Sequence, residues 1–89
     1  MDNREFKIKY QNIKKIIENI DPAGWGARDE YDDIIFQIIK NNGGIKDSSL
    51  LKDNIISVLG NSLGLQRETI QDSCRDIAIQ ILSLYPEGI

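Results

Sequence analysis

Phe6, Tyr10, Ile13, Ile17 and Ile20 recur at alternating steps of four and three, with Ile16 widening the stripe. That spacing gathers the apolar side chains onto one face of a helix, whereas on a strand it would scatter them over both faces. Three further stretches repeat the pattern. Tyr31, Ile34, Ile35, Ile38 and Ile39 form a broad arc with Phe36 on another side. Leu51, Ile55, Val58, Leu59 and Leu63 form the next, flanked by Leu50 and Ile56. Ile70, Cys74, Ile77, Ile81 and Leu84 form the last, with Ala78 beside them. No strand-like alternation persists, and the β-branched residues are mostly isoleucines at helical spacing. The pattern predicts an all-α chain, a compact bundle of about four helices joined by short loops.

The punctuation agrees with the periodicity. Asp2 and Glu5 stand in a capping-box arrangement at the start of the first helix, and Pro22 stops it near Ile20. The second helix is expected to begin near Asp29 and to end at Asn41-Asn42-Gly43-Gly44, where Gly or Asn accepts a left-handed backbone. Ser48 is expected to cap the third helix, which Gly64 terminates; Gly60, inside it, costs about 1 kcal/mol against Ala and leaves room for a distorted last turn or a close neighbour. The fourth is expected from about Gln66 to Tyr85, with Pro86 ending it. The 89 residues suffice for one modest core, so residues 1–89 are read as one domain.

Composition removes several chemistries. The chain has one cysteine, Cys74, and no histidine, which rules out an internal disulfide, a zinc ribbon, a His-based metal site and any Cys-His or Ser-His-Asp mechanism. A packed, inert thiol is the expectation for Cys74, and a reducing cytoplasm fits best. No apolar stretch reaches signal-peptide or membrane-span length, so no membrane association is expected. A formal charge of -3 argues against a phosphate-neutralising surface and hence against nucleic acid as partner. The charge is unevenly placed. Arg4, Lys7, Lys9, Lys14 and Lys15 outweigh Asp2, Glu5 and Glu18 in the first segment, whereas only Arg28 opposes Asp21, Asp29, Glu30, Asp32 and Asp33 in the connector. The two patches are expected to attract one another within the bundle.

That connector, Asp21 to Asp33, is the most distinctive part of the chain, because it also holds the only tryptophan, Trp25, between Gly24 and Gly26. Carboxylates at a helix start are sufficiently explained by the dipole and the free amides there. Trp25 either plugs the end of the bundle or is exposed as a partner anchor, and Tyr31 shares either fate. The coincidence of these residues at one end makes Trp25, Arg28, Glu30, Tyr31 and Asp33 the expected partner-binding set for a noncatalytic protein-interaction domain. A basic partner complements it. A lesser alternative pairs Glu18-x-x-Asp21 with Glu30-x-x-Asp33 as hard oxygen ligands for magnesium. These four positions resemble the paired acidic motifs of all-helical nucleotide pyrophosphohydrolases, which implies metal-activated water. Otherwise no cofactor is expected. Gly43-Gly44-Ile45-Lys46-Asp47-Ser48 lacks the Gly-Lys-Ser order of a phosphate loop. Asp47-Ser48-Ser49-Leu50 echoes the attachment site of acyl carrier proteins over about four residues only. The broad arcs of the second and third helices also leave room for a homodimer.

The order of apolar helix, Asp21-Pro22-x-Gly24, then Asp29-Glu30-Tyr31-Asp32 opening a second helix, resembles the YugE-like small bacterial proteins of unknown function. Leu63-Gly64-Leu65 looks like the Met-Gly-Leu that closes a later helix in that family. Where those proteins carry tryptophan directly before Asp-Pro, this chain has Ile20. The resemblance implies an all-helical cytoplasmic protein and no particular activity. A similar Asp-Pro-x-Gly and acidic-helix pattern occurs in small bacterial immunity proteins, which implies an acidic face toward a basic toxin.

Overall fold

The computed structural model describes residues 3–22, 24 and 31–89, and among these the chain is an all-α bundle of four helices. They are α1 (Asn3–Ile20), α2 (Asp32–Asn41), α3 (Ser48–Leu63) and α4 (Arg67–Leu84). They pack as a ring, α1 on α2, α2 on α3, α3 on α4 and α4 back on α1, with the α3–α4 pair the most extensive. α1 and α2 run in opposite directions, since Lys14 meets Asp32 at the connector end while Phe6 meets Phe36 farther along. Every helix therefore has two neighbours, and each needs an apolar face wider than a single seam.

The predicted stripes supply the core, except that Leu84, expected on the stripe of α4, is exposed and Phe6, Tyr10, Ile20, Val58 and Leu63 are only partly buried. Ile13, Ile16 and Ile17 of α1, Ile34, Ile35, Ile38 and Ile39 of α2, Leu51, Ile55, Ile56 and Leu59 of α3, and Ile70, Cys74, Ile77, Ala78 and Ile81 of α4 are all buried. The arcs of α2 and α3 are thus consumed within the chain. Of their large apolar residues only Phe36 and Leu50 remain exposed, which reduces the argument for a homodimer to those two side chains.

The helix ends refine several expectations. α1 stops where Asp21 adopts a left-handed backbone (φ 54°), its N–H donating to the Ile17 carbonyl at 2.7 Å. Aspartate is one of the few residues besides glycine that enters this region at modest cost, and Pro22 then prevents continuation. α2 runs from Asp32, and the carboxylates of its first turn are Asp32 and Asp33; the expected start near Asp29, with Asp29 and Glu30, lies outside the described residues, as does Asp2. The cap of α3 is Asp47, not Ser48: the Asp47 carboxylate accepts from the Ser49 N–H at 2.8 Å and the Leu50 N–H at 3.4 Å. Gly64 closes α3 in a left-handed conformation (φ 69°) with its N–H on the Gly60 carbonyl. The helix runs through Gly60, beside which the Leu65 carbonyl passes at ordinary contact distance. Gln66 and Tyr85 bracket α4 as its caps, matching the expected limits.

The buried Asn42 follows α2. Its amide donates to the Ile38 carbonyl at 2.8 Å, and its oxygen accepts from Asn54 of α3 at 2.8 Å. Both functions of the amide are thereby satisfied, as burial requires.

Cys74 is fully buried, and desolvation pushes its thiol up to about 12. In the unfolded chain the thiol ionises near 9.0, whereas the folded chain retains the proton until about 12. Between those values the unfolded state binds fewer protons, so stability declines as pH rises through that window, by at most about 1.4 kcal/mol per pH unit. Urea titrations from neutral to alkaline pH should show this decline, and Cys74→Ala should flatten it. An unchanged slope in the variant would assign the alkaline loss to other groups.

Candidate docking corner

The connector leaves α1 and enters α2 at one place. From Asp21, whose carbonyl accepts the Gly24 N–H at 3.0 Å, the chain returns to Tyr31, whose hydroxyl donates to Asp21 Oδ1 at 2.7 Å. The Tyr31 ring is fully buried in the common core. A phenol donating to a carboxylate is a charge-assisted hydrogen bond, stronger than a neutral one. The two ends, ten positions apart in sequence, are consequently clasped, with one post of the clasp sunk in the core.

Beside the clasp the opposite charges of α1 and the connector meet as expected. Lys14 Nζ lies 3.3 Å from Asp32 Oδ1, an ionic contact that shields an otherwise enclosed carboxylate oxygen. Both side chains are partly solvated, and such pairs contribute at most about 1 kcal/mol. Asp33 projects into solvent from the first turn of α2.

The structure thus separates the expected partner-binding residues. Trp25, Arg28 and Glu30 lie outside the described residues. Asp33 is exposed and accessible. Tyr31 is not: an aromatic residue at a helix start could have faced out, but the Asp21 carboxylate satisfies its hydroxyl and lets the ring enter the core. Tyr31 is therefore a positioning residue for the corner rather than a contact residue. Of the alternative magnesium ligands, Glu18 is half-buried, Asp21 is engaged by Tyr31 and Asp33 is exposed, while Glu30 lies outside the described residues. Among the described residues no three acidic or thiol side chains gather closely enough to hold a metal ion.

Sequence reasoning missed two features. The first is an aromatic seam between α1 and α2, farther along both helices from the Tyr31–Asp21 clasp. The Phe6 and Phe36 rings meet edge to face with centroids 5.6 Å apart, Tyr10 lies 6.3 Å from Phe6, and Phe36 remains 47% exposed. Lys40 Nζ sits 5.9 Å from the Phe36 centroid. Next to it an open groove of about 710 Å³ is lined by Asn3, Arg4, Phe6, Lys7 and Tyr10. The signal was Phe36 itself, off the apolar arc of its own helix.

The second is the segment after α4. Ile89 is buried, its main-chain oxygen accepts from Lys9 Nζ at 2.8 Å, and the Tyr85 hydroxyl accepts from Asn12 at 2.9 Å. Lys46 and Glu87 pair at 2.7 Å across the α2–α3 loop. No helix among the described residues is long and apolar enough to cross a membrane. No family model, curated protein or solved structure matches the chain.

Proposed function

We propose that the chain is a noncatalytic cytoplasmic protein-interaction domain that docks through the connector between α1 and α2. The observation carrying this reading is the clasp of Tyr31 on Asp21, which fixes the two ends of a Trp-bearing, acidic segment at one corner of a rigid bundle. Loops with closely held ends are recurrent carriers of function, because the scaffold absorbs the cost of ordering them before a partner arrives. Trp25 is the anchor, and Glu30 with Asp33 supplies negative charge that speeds encounter with a basic partner. The resemblance to YugE-like and immunity proteins is compatible with such a role.

The test is recovery of partners from a lysate of the source organism, with Trp25→Ala and, separately, Glu30→Ala with Asp33→Ala. Each variant should keep the parent's circular dichroism and urea midpoint. The tryptophan variant should lose about 2 kcal/mol or more of binding, roughly thirtyfold. Undiminished recovery of the same partner by both folded variants would remove the connector as the docking surface.

A further inference from the structure

We infer that the α1–α2 aromatic seam is a second docking surface, and that its occupant is an acidic amphipathic segment of a partner protein. This inference is independent of the connector. Phe6 and Phe36 form an apolar centre that the bundle does not cover, since Phe36 stays half-exposed even with the Phe6 ring against its edge. A shallow aromatic groove bordered by polar residues is the usual seat of an amphipathic helix, which lays apolar side chains at i, i+3, i+4 and i+7 into it.

The border is cationic. Arg4 and Lys7 line the groove beside Phe6 and Tyr10, and Lys40 stands over Phe36 on the opposite helix. The exposed stripe of α2 carries Asp33, Phe36 and Lys40 at helical spacing, so its one carboxylate lies a turn before Phe36 on the side away from Lys40. Lys7 of α1 and Lys40 of α2 thus bring positive charge to the seam around the half-exposed Phe36, in a chain whose net charge is -3. Carboxylates flanking an apolar anchor complement that arrangement, whereas a basic segment would meet like charge. The Phe6 and Tyr10 rings are half-buried and, of the seam's three rings, only Phe36 stands exposed, so the seam offers a bilayer little apolar surface to insert, whereas side chains projecting from a helix can reach these rings.

The experiment uses the full chain, labelled with 15N, and a synthetic amphipathic helical peptide with leucine and phenylalanine on one face and glutamate on the other. Amide shifts should centre on Phe6, Lys7, Phe36 and Lys40, and the affinity should fall as salt is raised. Lys7→Glu combined with Lys40→Glu should weaken binding at least about tenfold, and Phe36→Ser by a similar factor. Lys7 and Lys40 are solvent-facing, so the charge variant should keep the parent's circular dichroism and urea midpoint, whereas Phe36→Ser also gives up the edge contact with Phe6 and should keep the spectrum with a somewhat lower midpoint. The inference is overturned if the glutamate peptide produces no shifts at millimolar concentration. It is equally overturned if a matched lysine peptide binds as well, or if the shifts map elsewhere. Concentration-dependent shifts at these residues without peptide would make a second copy of the chain the occupant. Sedimentation with phosphatidylglycerol vesicles in preference to the peptide would make it a membrane. Either outcome overturns the inference, and none of these results bears on the connector variants.

Discussion

Replacing Tyr31 by alanine is expected to cost about 3–5 kcal/mol, the range for deleting a large buried ring. For a domain of this length total stability is on the order of 4–13 kcal/mol, so Tyr31→Ala should leave a protein near its unfolding threshold at 37 °C. The ring is fully enclosed in the core shared by the helices. Tyr31→Phe isolates the other half of its role. It keeps the ring and removes the hydroxyl that donates to Asp21 Oδ1; about 1–2 kcal/mol is expected, as for a hydrogen bond to a charged group. Asp21→Asn retains both an acceptor and tolerance of the left-handed backbone, and should cost less than Asp21→Ala, which has neither. Urea unfolding of the four variants checks the scheme. A Tyr31→Ala loss below about 1 kcal/mol would show that the ring is not part of the core.

Gly88→Ala is the second large effect. Gly88 has φ 93°, a conformation that L side chains rarely adopt, and a Cβ there would stand 2.7 Å from the Gly44 carbonyl carbon, 2.8 Å from its Cα and 2.9 Å from the Ile45 nitrogen. These are backbone atoms of the α2–α3 loop, which cannot rotate aside. The segment after α4 must lift away, releasing Ile89 from the core and Lys9 from its carbonyl partner. Exposing a buried isoleucine costs about 1.5–3 kcal/mol, and the lost Lys9 hydrogen bond adds to it. Gly44→Ala is the control. Its φ of 80° imposes the same kind of backbone strain, but a Cβ there meets nothing within 4 Å, so about 1–2 kcal/mol is expected. The distinguishing measurement is a double-mutant cycle. Once Gly88→Ala has lifted the segment, Ile89→Ala should add almost nothing, whereas in the parent background it should cost its full burial. Additive losses would mean that Ile89 stays docked in the Gly88 variant.

The four helices were readable because each writes its buried face in local spacing, and their ends because Pro22, Gly64 and Pro86 act within a residue or two of where they stand. Asp47 displaced Ser48 as a cap for a local reason as well: the longer carboxylate reaches two amides at once. Tyr31 was undecidable from spacing. Its burial depends on a carboxylate ten positions earlier being turned toward it by a left-handed residue. The docking of Ile89 depends on Lys9, 80 positions away, and a Gly-Ile pair carries no periodicity that would announce it. The seam shows the same division. Sequence placed Phe36 off the arc of α2, but only the crossing of α1 over α2 brings Phe6 to its edge.

The clasp between Tyr31 and Asp21 also bears on how freely the connector can change. With both ends fixed to one another, the span between them behaves as a cassette held on two posts, and its length is decoupled from the register of the helices it joins. Closure entropy grows slowly with chain length, so doubling such a cassette costs only about 0.6 kcal/mol. A lineage could therefore rewrite the span wholesale, provided the tyrosine and the aspartate at its feet were left alone.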